Sequence, residues 1–379
     1  MKITTTVESM LSALKLLMKP EKKTSIPILA NVHVMGSVLS TTTLDVWSFV
    51  DLKCETDAPK PTPIGKSKGK KNIVAIDDRP KGFTFPYHQA VSVLSGETGP
   101  LTVEYLPAKV GNGQVLFAFA GCEIKLDSLS ASNWPQAPAL SPFTITVDGE
   151  AMRTILDRTM FCISKEQSRY VLNGAQFSVD RDKFQIVATD GHRLSIATTT
   201  NHKGTLATTL VAREALEVLR TRIGAEVKIG ASTDAVYPYQ SFQTNGVTIL
   251  SRVLSGKFPN YKEVIPKTHK VLATIPDASK LLATVTRVAK CADERSQCIK
   301  LSFAPEMTVS ASSSERGSAT AKTGIVADGS LTVGLNADFL TDYLKRVGTN
   351  SATFKATNGQ SAVMFFLDDF DHLLMPMRL

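Results

Sequence analysis

Three stretches of this chain repeat one pattern at nearly constant spacing, and internal repetition limits the available folds more than any single motif does. Apolar residues at helical intervals, in one common phase, recur as Met10, Leu14, Leu17 and Met18, as Met152, Ile155, Leu156 and Met160, and as Leu281, Leu282, Val285 and Val288. A second helical segment follows in each unit: HQAVSVLSG, REALEVLRTRIG and ADFLTDYLKRVG. Their residues Leu94, Leu219 and Leu344 lie 125 residues apart each time, and Gly96, Gly224 and Gly348 are placed to stop the helices. Each unit closes on an aromatic residue or Met before proline, at Trp134-Pro135, Phe258-Pro259 and Met375-Pro376. The 379 residues therefore divide into three domains, 1–141, 142–268 and 269–379.

Between the helices lie alternating stretches such as KFQIVATD and CIKLSFA, which read as strands. Strand runs separated by single helices give the fold class: α+β, with antiparallel sheets and two helices in each repeated domain. One segment interrupts the pattern. Residues 59–71 carry Lys60, Lys66, Lys68, Lys70 and Lys71 with no acidic residue, and their Pro and Gly content predicts an irregular basic loop in the first domain.

The sequence offers little to run chemistry with. GKS at Gly65–Ser67 lacks the glycine five residues earlier that a phosphate loop needs, because Lys60 stands there. Gly111 and Gly113 lack the third glycine of a dinucleotide fingerprint. Asp190 and His192 could belong to a hydrolytic triad, but no GxSxG elbow accompanies them. Cys54, Cys122, Cys162, Cys291 and Cys298 form no CxxC pair and have no His at zinc-ligand spacing, so they read as reduced thiols. No catalytic residue, metal or cofactor is expected. With no long apolar run and no signal-peptide pattern at MKITTTVESML, the expected location is the cytoplasm, without membrane contact.

The charge points to a polyanion. Lys and Arg number 43 against 35 Asp and Glu, a net +8. Lys15 and Lys19 belong to the first repeat helix or its end, Arg153 and Arg158 to the second, and Arg287 to the third, mostly off the apolar stripe; Arg213 opens a helix of the second set. One such face is usually just solvated. Recurrence in equivalent helices, without any base-reading motif, favours duplex DNA held through its phosphates irrespective of sequence.

RYVLNG at 169–174, ATDGHRL at 188–194, FPNYKEVIP at 258–266 and the terminal MPMRL at 375–379 resemble the signatures of the bacterial sliding clamp family, the beta subunit of DNA polymerase III. SIPILANV at 25–32 is similar to its N-terminal motif, and the resemblance spans the chain in order. It implies three clamp domains per chain and a head-to-tail homodimer that closes a ring around double-stranded DNA. The implied partners are the polymerase III alpha subunit, the delta subunit of the clamp loader and other clamp-binding repair polymerases. Their peptides would enter a pocket formed by Leu172, Thr189, Gly191, His192, Leu194, Pro259, Val264, Met375, Pro376 and Met377. Lys23 and Arg169 match loops that approach DNA in the family, and the dimer seam would use Ile124, Leu126, Lys290 and Cys291. Glu263, Gln360, Ala362 and Lys290 depart from the family pattern, the first three at the pocket rim and the last at the seam.

Overall fold

A computed structural model of the chain describes residues 1–57, 82–109, 111–232 and 238–379. The basic segment 59–71 lies outside the described residues. Strands and helices follow one order three times, with one strand fewer between the two helices of the third run. The first run is β1 (Lys2–Thr6), α1 (Val7–Leu16), β2 (Asn31–Met35), β3 (Val38–Thr42), β4 (Val46–Asp51), β5 (Glu55–Thr56), β6 (Phe83–Pro86), α2 (Tyr87–Leu94), β7 (Pro100–Leu106), β8 (Gln114–Phe119) and β9 (Cys122–Asp127). The second is β10 (Ile145–Asp148), α3 (Gly149–Thr159), β11 (Gly174–Asp180), β12 (Lys183–Thr189), β13 (Arg193–Thr199), β14 (His202–Gly204), β15 (Thr209–Ala212), α4 (Arg213–Arg220), β16 (Glu226–Ala231), β17 (Tyr239–Thr244) and β18 (Val247–Arg252). The third is β19 (Val271–Ile275), α5 (Ala278–Val288), β20 (Cys298–Ala304), β21 (Glu306–Ser313), β22 (Gly317–Val326), β23 (Leu331–Asn336), α6 (Ala337–Val347), β24 (Ala352–Ala356), β25 (Val363–Leu367) and β26 (Phe370–Leu374).

Three of the helices start where side chains cap them. Thr6, Asp277 and Asn336 accept backbone N–H groups of Ser9, Ser279 and Phe339, satisfying donors that a first turn leaves open. Their apolar stripes are buried as the spacing predicts: Met10 and Leu14 on α1, Met152, Ile155 and Leu156 on α3, Leu281, Val285 and Val288 on α5. Each such side chain contributes about 1.5–3 kcal/mol by leaving water. The expected glycine stops are met twice. Gly348 caps α6 at φ 68°, and Gly96 lies just beyond α2 at φ 89°. Gly224 does not play that part. Helix α4 ends at Arg220, and Arg222 turns away to donate from Nε to Leu16 O and from Nη2 to Leu17 O, both at 2.5 Å, closing the carbonyl end of α1.

The chain packs into two compact units that share the second repeat. One holds Met1–Gly149, Lys203–Leu206 and Glu214–Val253; the other holds Glu150–His202, Ala207–Arg213 and Leu254–Leu379. In the first unit a nine-stranded sheet runs β14-β10-β16-β17-β18-β4-β3-β2-β6, and a five-stranded sheet runs β5-β1-β7-β8-β9. In the second, an eight-stranded sheet runs β15-β11-β12-β13-β26-β25-β24-β19, beside the four-stranded β22-β21-β20-β23. Strands distant in sequence meet at β18 with β4, and at β13 with β26.

The β13–β26 joint encloses polar groups. Ser195 Oγ lies 2.7 Å from His372 Nδ1 and 3.1 Å from Cys162 Sγ, and all three residues are fully buried. Burial pushes the Cys162 thiol up to about 12 and holds His372 well below the ordinary imidazole range. Beside it, burial raises the Asp371 carboxyl to about 6, against the pull of Lys183. A carboxyl raised on folding contributes its full stability below the unfolded value near ~3.9 and loses it as pH rises through the folded value. Asp371→Asn should therefore gain urea resistance relative to the unaltered chain at pH 8 compared with pH 5. A difference in midpoint that does not change with pH would contradict this assignment.

Candidate functional site

Three of the exposed apolar residues of the second unit flank one buried apolar cluster. Tyr170, Val264 and Met375 are exposed large hydrophobics, and each lies within two residues of an apolar cluster. Leu194, Leu210, Phe258, Tyr261, Met364 and Leu373 form that cluster, with Val171, Leu172 and Ile265 packed against it. The cluster floors a surface whose rim is built from the β12–β13 turn, the Tyr261–Glu263 turn and the end of β26.

Each rim element has a local cause. At the β12–β13 turn, Thr189 Oγ1 donates to Arg193 O at 2.7 Å, while Asp190 Oδ1 accepts the N–H groups of His192 and Arg193 at 3.0 Å. Gly191 sits at φ 89°, where a side chain would be strained and would meet the Arg169 guanidinium. The backbone N–H of Met375 donates to His192 O at 2.9 Å, drawing the terminal segment against the turn. His192 stacks on Phe339 with ring centroids 6.4 Å apart. At the opposite rim Glu263 accepts from Asn260 Nδ2 at 2.6 Å, and Val264 follows, exposed.

The ten pocket residues expected from the sequence fall on several elements of the second unit. Leu172 and Leu194 belong to or pack on the apolar floor, and Thr189, Gly191, His192 and Met375 lie at its turn. Pro376 and Met377 instead line a cleft of about 1060 Å³ with Thr332, Gln360 and Leu379. Pro259 lines a polar pocket of about 390 Å³ with Gln185, Lys257, Tyr261 and Lys262. Ala362 is buried in the floor. Sequence reasoning does not single out Arg193, Phe339, Met364 or Leu373. Arg193 lies inside the ATDGHRL motif, but the others carry no signal beyond strand or helix periodicity.

The basic residues divide by what they already touch. Lys15, Lys19 and Lys23 in the first unit are exposed, as are Arg153 and Arg287 in the second. Arg158 is half-buried over the Phe370 ring at 5.4 Å. Arg169 donates to Asp190 O at 2.6 Å and pairs with Glu166 at 2.9 Å, and Arg213 donates to Ile163 O at 3.2 Å. Arg169 and Arg213 thus already donate to backbone carbonyls, and Arg158 lies against a ring. Of the seam residues, Ile124 and Leu126 lie on β9, while Lys290 and Cys291 lie in the turn Ala289–Cys291 that packs on β21 and β22.

Among the described residues no arrangement resembles a catalytic centre. Asp190 bonds the backbone of His192 and the guanidinium of Arg193. The Ser195–His372 pair has no route to solvent, and His372 Nε2 has no hydrogen-bond partner. Among the described residues no helix is long and apolar enough to cross a membrane.

Residues 146–260 match the central domain, and residues 262–378 the C-terminal domain, of the DNA polymerase III beta subunit. The chain belongs to the DNA polymerase III beta-subunit family, the bacterial sliding clamps. It is 25% identical over 371 residues to the beta sliding clamp of Pseudomonas putida, across 95% of this chain and 94% of that one. The Caulobacter vibrioides beta sliding clamp is 29% identical over 250 residues, 62% of this chain and 66% of that one. The crystal structure of the C. crescentus beta sliding clamp, 24% identical, superposes with a TM-score of 0.85 over 100% of this chain and 99% of that one. The function is that of a replication processivity factor, and the family is not catalytic.

Proposed function

We propose that two copies of this chain, each with three clamp domains, close head to tail around duplex DNA, and that polymerase and clamp-loader peptides bind on the apolar floor between Leu172, His192, Val264 and Met375. Retention is then topological. Phosphate contacts from the exposed basic residues need only be weak, so the ring slides, whereas tight contacts would brake it.

The observation that carries ring closure is the register of the two internal joints. In the first unit one row of Cα partners runs Phe83, Val34, Leu39, Val50 and Val247. In the second, the equivalent row runs Thr209, Phe177, Ile186, Ala197 and Phe370. Val247 and Phe370 are each the first residue after their hairpin turn, as Cys122 is on β9. The third row, Val333, Leu301, Val309 and Ala321, ends on β22, the edge of its sheet. β9 is the edge of its own sheet. A third joint in the same register pairs Cys122 of one copy with Ala321 of the other, and brings Ile124 opposite Ala319.

The faces support this register, because Ile124, Leu126, Ala319 and Ala321 are each more buried than their immediate neighbours along the strand. So do the charges: Asp127 falls opposite Arg316, and Glu123 lies diagonal to Lys322. An unpaired strand edge is an aggregation hazard unless a partner covers it, and a twofold operation covers both edges at once.

The test is oxidative cross-linking. In a chain with Cys54, Cys291 and Cys298 replaced by Ser, Ala321→Cys should join native Cys122 in a covalent dimer, and Ala319→Cys should not. Antiparallel pairs alternate in geometry, so Glu123→Cys with Thr320→Cys samples the other class. Cross-linking through position 319 instead would refute the register, and a monomeric mass at micromolar concentration would refute the ring.

A further inference from the structure

The side chain of Arg193 is 11% exposed and committed on all sides. Its Nε donates to Asp190 Oδ2 at 2.9 Å, Nη1 to Asp342 Oδ2 at 2.7 Å, and Nη2 to the Phe161 carbonyl at 2.8 Å. The guanidinium also lies over the rings of Phe339 at 4.4 Å and Phe161 at 5.3 Å. We propose that Arg193 is the positioning residue of the peptide pocket: it locks the Thr189–Arg193 turn onto α6, so that the apolar site exists before a peptide arrives. This rests on the reading of that surface as a peptide pocket.

The turn closes on itself through Thr189 and Asp190, but those bonds do not fix it to α6. Arg169 holds it to the preceding loop, and Met375 to the terminal segment. Arg193 makes the charged link to α6, through Asp342. That helix also carries Phe339, on which His192 stacks, so the spacing between turn and helix sets the position of the pocket wall. Arg346, one turn beyond Asp342, donates to its carbonyl at 2.9 Å and lies over the same Phe161 ring at 4.4 Å. The turn, α6 and the end of α3 are thus tied through two guanidiniums. A lysine cannot replace the first, because a single ammonium does not supply a planar fork to two carboxylates and a carbonyl.

Removing the charge does more than remove bonds. Asp190 and Asp342, whose side chains are 17% and 32% exposed, then lose the cation that both of them face. Asp342 keeps only its longer pair with Arg346, at 3.7 Å, and the remaining repulsion loosens the turn from α6 and lowers the fraction of molecules with a formed pocket. The apparent dissociation constant rises in inverse proportion to that fraction, and the loss appears in association rather than dissociation.

The experiment uses the assembled protein and a short fluorescein-labelled peptide bearing one Leu and one Phe anchor, with anisotropy for affinity and stopped flow for rates. Arg193→Met should weaken binding about tenfold or more, carried by slower association, with Arg193→Lys intermediate. Adding Asp342→Asn to Arg193→Met should restore part of the loss, since it removes one of the two repelling carboxylates. Affinities within twofold of the unaltered chain for both Arg193 variants, alongside a lowered melting temperature, would overturn the proposal and leave Arg193 a stabilising residue only. If Arg193→Met does not fold, Arg193→Lys decides by the same criterion. Failure of the unaltered chain to bind the peptide would overturn the pocket reading itself, and this inference with it.

Discussion

Removing Met375–Leu379 is expected to abolish detectable peptide binding while the ring stays assembled. Met375 is exposed beside the floor, and its backbone N–H anchors the segment to His192 O at 2.9 Å. Pro376 and Met377 wall the cleft that adjoins Gln360, and Met377 is held to Gly334 O at 2.8 Å. Burial of two Leu- or Phe-sized anchors gains roughly 3–6 kcal/mol before the cost of association, so losing one wall removes most of the net affinity. A fall of about 100-fold or more, near 2.7 kcal/mol, is the expected size. The proposed seam strands β9 and β22 do not include this segment, so the mass of the deletion variant should remain that of a dimer. Unchanged affinity in an assembled variant would refute the pocket, whereas loss of the dimer would show that the terminus supports the seam.

The repeat is legible because burial imposes it. Met10, Met152 and Leu281 have to recur at the same phase for three similar helices to cover three similar sheets, and the strand pattern of KFQIVATD can be read by alternation. The joints cannot be read that way. Nothing in the sequence of β18 says that it pairs with β4, two hundred residues away, since alternation fixes which face is buried and leaves the neighbour open. For the same reason the repeat divides the chain into three domains but does not say how residues 142–268 distribute between the two compact units.

Site residues are legible where a motif carries them. His192, Leu194 and Met375 lie in stretches that resemble family signatures, and the structure brings them to one turn and one strand end. Phe339 and Asp342 lie on α6, whose periodicity announces only a helix, so their role emerges from packing. Charge misleads in the other direction. Arg158, Arg169 and Arg213 look like free cations in sequence, but each meets a ring, a carboxylate or a carbonyl inside the second unit. Residue type shows that a charge is present. It does not show whether the charge is already spent.

That distinction fixes the variants for the DNA prediction. Lys15, Lys19 and Arg287 are exposed, so replacing all three with Ala should weaken binding of unloaded protein to duplex DNA. The log–log salt dependence should flatten by about 0.9 for each phosphate that is no longer neutralised, with no preference for sequence. Retention of a closed ring should hardly change, because the ring stays on the duplex without any particular phosphate being held. The most direct test is the lifetime of loaded protein on nicked circular DNA, compared with the same DNA cut once to give free ends. A topological clamp persists on the circle and runs off the linear form within the time needed to slide to an end, in the unaltered protein and in the triple variant alike. Equal lifetimes on the two forms would show that direct binding holds the protein to DNA, and would contradict the ring.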